Sequence, residues 1–149
     1  MAGLIGIAQT AEIATGTSAK TLLQLVAPAN QRLKVREISI SFKGVTSTDA
    51  PILVDILRQT DAGTMSALTI NPDDAGYDET LQATAQHTAT VEPTAGVVLL
   101  REEVHPQGGA FLWQARFAGE RTVKGGTRLG VRVTAGVSVS AVTRLEYEE

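Results

Sequence analysis

Two adjoining runs, Leu33–Phe42 and Ile52–Thr60, constrain the fold more than any other feature of the chain. In the first, Ile38, Ile40 and Phe42 alternate with Glu37, Ser39 and Ser41, the two-residue period of a pleated strand with one buried face. Leu33 and Val35 keep that period but sit one residue out of phase with Ile38, so a bulge or bend is expected between them. The second run, Ile-Leu-Val-Asp-Ile-Leu-Arg-Gln-Thr, is apolar on both faces over most of its length, as a strand in the middle of a sandwich would be. The link Lys43–Pro51 carries Gly, Ser, Thr and Asp, which is turn chemistry. The pair therefore reads as the central hairpin of an all-β domain.

The rest of the chain repeats the pattern. Lys20–Ala27, Met65–Ile70, Val97–His105, Phe111–Phe117, Arg128–Thr134 and Val137–Tyr147 are strand candidates separated by Gly- and Pro-containing turns. Short strands at this spacing, without helix-strand alternation, predict an antiparallel sandwich or barrel. Two segments stand apart. Residues 1–18 read as an N-terminal arm or edge strand, loosely held like most termini, ahead of a single sandwich domain at 19–149. The middle third, with the polar loop Asn71–Glu79 and a balanced helix-or-strand segment at Thr80–Gln86, is expected to leave the sheets.

Composition narrows the chemistry. The 149 residues suit one domain, and 13 Lys and Arg against 16 Asp and Glu, a net charge of -3, argue against a protein that depends on nucleic acid or an anionic membrane. Cysteine is absent, so disulfides, thiol nucleophiles and cysteine-held metals are excluded. Met1–Ile13 lacks the basic start of a signal peptide, and no window approaches the ~20 apolar residues of a membrane span, which implies a soluble protein made in a cytoplasm.

No candidate site is complete. His87 and His105 are isolated from each other in sequence and favour no metal centre. Asp73, Asp74, Asp78 and Glu79 around Gly76 offer oxygen ligands without the full calcium-loop spacing, and read better as a solvated turn. Gly108-Gly109 and Gly125-Gly126 are turns, not phosphate cradles, and no G-x-S-x-G elbow occurs. Trp113, with Phe111, Ala115 and Phe117 on one strand face, reads as core rather than a stacking platform. Arg116, Arg128 and Arg132 could line a basic outer face. Neither catalysis nor a cofactor is expected.

The strings Ala19–Leu25, Ala27–Val35 and Val54–Thr60 with Gly63-Thr64-Met65, then Glu92-Pro93-Thr94, Val104-His105-Pro106 and Arg128–Val133, resemble small structural proteins from tailed-bacteriophage head gene clusters. The resemblance implies a jelly-roll decoration, or cement, protein: a homotrimer on the outer surface of the virion capsid, bound to major capsid protein subunits. In that picture the arm would reach the shell through Leu4, Ile5, Ile7 and Ile13, adding strand pairing or apolar contacts. The alternative is a tail, baseplate or fibre-associated module, with carbohydrate as a ligand.

Overall fold

A computed structural model describes residues 3–44, 50–76 and 78–149. The centre of the Lys43–Pro51 link, the first two residues of the expected arm and position 77 of the acidic loop lie outside the described residues. The strands are β1 (Ile5–Gln9), β2 (Ile13–Ala14), β3 (Lys20–Val26), β4 (Leu33–Lys43), β5 (Ile52–Gln59), β6 (Thr64–Leu68), β7 (Ile70–Pro72), β8 (Thr84–Val91), β9 (Ala95–Val104), β10 (Gln107–Gln114), β11 (Arg121–Val123), β12 (Arg128–Thr134) and β13 (Ser140–Glu148). All pair antiparallel in two sheets packed face to face. The first runs β10-β4-β13-β1-β7, with β11 also beside β4 and β2 beside β13; the second runs β6-β8-β3-β12-β5-β9. The chain is an all-β sandwich.

Alternation places the core. Leu33, Val35, Ile38, Ile40 and Phe42 of β4, with Leu145 and Tyr147 beside them on β13, face Val54 and Ile56 of β5 and Leu129, Val131 and Val133 of β12 in one apolar cluster. The phase slip in β4 is a bulge: Glu146 lies opposite Glu37 but Tyr147 opposite Val35, leaving Arg36 as the extra residue. That single insertion turns both halves of β4 inward. The two constraining runs do not form a hairpin, however. β4 pairs with β10 and β13 while β5 pairs with β9 and β12, so the link between them carries the chain across the sandwich from one sheet to the other.

Of the two readings of the N-terminal segment, arm or strand, residues 4–15 follow the strand. β1 lies between β13 and β7, and backbone bonds from Leu4 N to Glu149 O (3.0 Å), Thr10 N to Thr143 O (2.9 Å) and Thr15 N to Val139 O (2.8 Å) hold residues 4–15 along β13. The inward positions of β1 are small because Tyr147 fills the space beneath them: Ala8 is fully buried, and a Cβ on Gly6 would lie 2.6 Å from the Tyr147 ring. The larger Ile5 and Ile7 consequently point to the outer face, half-buried.

The middle third does not leave the sheets: β6 and β8 extend one sheet beyond β3, β7 pairs with β1 at the edge of the other, and Thr84–Val91 is a strand, not a helical turn. β8 begins beside β3, then breaks at Thr88, which has a φ of 55°. From there residues 92–94 run to β9 at the far side of the same sheet. Glu92 accepts from Thr21 N (2.7 Å) and Thr21 Oγ1 (2.8 Å), Pro93 is buried, and Thr60 N donates to Thr94 O (3.1 Å). Beneath this crossing, Gln24 Nε2 donates to Gln59 Oε1 (2.7 Å) and Gln59 Nε2 to Thr21 Oγ1 (2.8 Å). The crossing explains why β3 and β5 are buried on both faces.

Candidate interaction surface

Both sides of the sandwich end in strand edges, β6 and β7 on one and β9 and β10 on the other. β9 is an edge of one sheet and β10 an edge of the other, and the two are joined only through His105 and Pro106. Each carries unpaired backbone groups along its outer side, the feature that makes an edge a template for another chain. Arg121 spans the gap: its Nη2 donates to Leu99 O at 3.5 Å, and its guanidinium lies 5.5 Å from the centre of the Trp113 ring. Around it Val97 is 66% exposed and Leu112 57% exposed, with Leu99, Leu100, Phe111 and Trp113 half-buried. The strands are irregular here. β9 slips register against β5 at two places, and β10 against β4 between Gln107 and Ala110.

The polar half of β9 is anchored inward. Asp55 of β5 is 2% exposed and accepts from Arg101 Nε of β9 at 2.6 Å and from Arg132 Nη2 of β12 at 2.9 Å. Burial pushes the Asp55 carboxyl up, but the hydrogen bonds and charges of Arg101 and Arg132 outweigh it and hold the group below its ordinary value. On the outer face of the other sheet Arg144 bonds Glu37 and, at 2.9 Å, Glu146.

Of the four residues expected to touch a partner, Ile13 is committed to the core at 8% exposure, whereas Leu4, Ile5 and Ile7 are half-buried and sit together at β1. They lie on the β1–β7 side of the first sheet, away from the β10 edge. Phe117 corrects a second expectation. β10 ends at Gln114, a turn follows with Ala118 at φ 57°, and Phe117 at its tip is fully exposed rather than on the strand face with Trp113. Trp113 itself is at the margin of the core. Arg128 and Arg132 share the face of β12 opposite Leu129, Val131 and Val133, with Arg132 bound to Asp55, whereas Arg116 lies apart beside Phe117.

The remaining sequence candidates are separate. His87 Nδ1 lies 2.9 Å from Thr88 Oγ1, and His105 Nδ1 accepts from Gln107 N at 3.1 Å in the turn between β9 and β10. Asp74 Oδ1 accepts from Gly76 N at 2.8 Å, closing a turn. Among the described residues no group of three or more His, Asp or Glu could hold a metal ion, and no helix is long and apolar enough to cross a membrane. The open β9–β10 side was missed in the sequence because alternation identifies which face of a strand is buried and not which strand lies at an edge. The one legible signal was the charged tail of the β9 run, Arg101-Glu102-Glu103, a composition that edges favour.

Comparison with known proteins returned no match: no family model fits the chain, and no curated protein or solved structure is significantly similar to it.

Proposed function

We propose that the protein is a structural virion component, a phage head decoration protein that binds the outer surface of the assembled capsid and stabilises contacts between major capsid protein subunits. The observation that carries this is the open β9–β10 side, where two strand edges and the exposed Val97, Val98 and Leu112 lie on a rigid sandwich. Such a surface suits docking on a protein, through backbone pairing along an edge and burial of apolar side chains. The strand order supports the jelly-roll part of the proposal: β1, β13, β4 and β10 are neighbours in one sheet and β3, β12, β5 and β9 in the other, the interleaving of a long hairpin ribbon wound upon itself. The phage-head likeness of the sequence supports the capsid part.

A ligand that binds the closed shell and not free subunits shifts assembly toward the shell, and more so if a homotrimer engages several sites at once. The contact is assigned to the β9–β10 side, with Ile5 and Ile7 on the outer face of β1 as a second apolar spot. Light scattering on the purified protein, then co-sedimentation with shells that lack it, tests the proposal. A particle of three 15.7 kDa chains that pellets with shells is expected; a monomer left in the supernatant would refute it.

One observation favours a second reading, a tail-associated sugar binder. Exposed Phe117 borders a cleft of ≈ 400 Å³ with Glu37, Gln114 and Glu120 in its wall, an aromatic beside polar side chains. Localisation to tails rather than heads by immunogold labelling would favour it.

A further inference from the structure

The chain's cations divide into two groups. Arg101 and Arg132 are spent on Asp55, and Arg144 on Glu37 and Glu146. Arg58, Lys124 and Arg128 form no ion pair among the described residues, yet all three line one cleft of ≈ 540 Å³ with Thr60 and Thr127, and no carboxylate lines it.

The cleft is built where the end of β5, the start of β12 and the turn between β11 and β12 meet. Gly126 N donates to Ala27 O (3.2 Å) and Pro28 O (3.1 Å), and Thr127 Oγ1 donates to Lys124 O (2.6 Å), so the turn is tied to the β3–β4 loop and its own donors are used. Arg58 Nη2 donates to Thr122 O of β11 at 3.3 Å. Arg128 Nε is buried and has no hydrogen-bond partner among the described residues. Asp61, whose carboxylate feels the charge of Arg128, accepts from Gly63 N (3.0 Å) and Thr94 N (3.1 Å) through Oδ1 and does not line the cleft. Lys124 also lines a second, adjoining cleft with Arg32, so the two clefts together hold four cations.

We infer that the adjoining clefts at Arg128, Arg58, Lys124 and Arg32 bind an acidic protein segment, an extended peptide presenting Asp or Glu side chains. Two clefts joined at Lys124 suit a run of carboxylates better than one small anion, and the aliphatic stems of the four cations supply apolar wall. Single-stranded nucleic acid is disfavoured, since no aromatic side chain lines either cleft to stack a base and the chain carries a net -3. The inference goes beyond the docking proposed above, since no residue of β9 or β10 lines either cleft.

A fluorescein-labelled hexaglutamate peptide titrated into the full chain at low salt, followed by anisotropy, provides the test. Saturable binding is expected, weakening at least about tenfold in Arg58→Gln and in Lys124→Gln, the loss of one charge-assisted hydrogen bond. It should change less than about twofold in Arg116→Gln, a cation outside the clefts, and fade as salt rises. Melting curves of Lys124→Gln, on an exposed turn, control for folding. Absence of binding, equal binding by all variants, or tighter binding of pyrophosphate or oligo-dT than of hexaglutamate would each overturn the inference. The titration needs no shells. Peptide binding without co-sedimentation would refute the decoration proposal and leave the clefts standing, and the reverse result would do the opposite.

Discussion

Gly130 shows how a single backbone position can support a polar layer. It faces the Gln59 side chain so closely that a Cβ would collide with the Gln59 amide oxygen, and Gln59 is held by Gln24 and Thr21. Gly130→Ala should therefore cost about 1–3 kcal/mol by overpacking, read as a lower urea midpoint with unchanged slope. A variant as stable as the parent would show that the amide network can move aside. Asp55 makes a different residue-scale argument. Asp55→Asn leaves Arg132 facing a neutral amide, and should cost roughly 2–3 kcal/mol, the low side for a buried pair because Arg101 is 55% exposed and screened by water. The folded-state value of Asp55 is depressed, so its contribution is complete above the unfolded value, near 3.8, and is lost as pH falls through the lower folded value. Urea melts should accordingly show a constant gap between parent and Asp55→Asn from neutral pH down to about 5, closing in more acid solution. A gap independent of pH would mean that packing, not charge, is what the substitution removes.

At the scale of elements, the N-terminal segment carries the sharpest revision. Removing residues 1–17 from a free arm would leave a folded body. Here the same deletion takes out β1 and β2, strips β13 of its partner on one side and orphans β7. It should give a chain that is unfolded or aggregated by circular dichroism and gel filtration; a soluble, cooperatively melting truncation would contradict the strand placement. The revision has a physical cause that the sequence only half displayed. Alternation in β1 is visible, but with Gly6 and Ala8 on one phase and Ile5 and Ile7 on the other it points to the wrong buried face. Small residues are inward only because Tyr147, far along the chain, occupies the volume. β4 is the counterexample: its phase slip between Val35 and Ile38 is local, and it announced the bulge at Arg36 without help from any partner.

For the whole molecule, the consequential feature is the β9–β10 flank, which carries the exposed Val97, Val98 and Leu112. Val97→Asp with Leu112→Asp puts charges at two exposed positions on that flank, so the melting temperature should stay within a few degrees of the parent while shell binding falls at least about tenfold. Undiminished co-sedimentation would remove the β9–β10 side as the contact. What the sequence by itself determined is the all-β class, most strand positions, the bulge in β4 and the absence of cysteine chemistry, because pleat period, turn residues and composition are properties of short stretches. Only the tertiary structure decided that β4 and β5 lie in opposite sheets, that residues 4–15 are zipped to β13, that β9 and β10 are edges, and that Arg58, Lys124 and Arg128 converge. Those outcomes depend on which distant strands share a sheet, and backbone hydrogen bonding between strands is indifferent to the local pattern that identifies each of them.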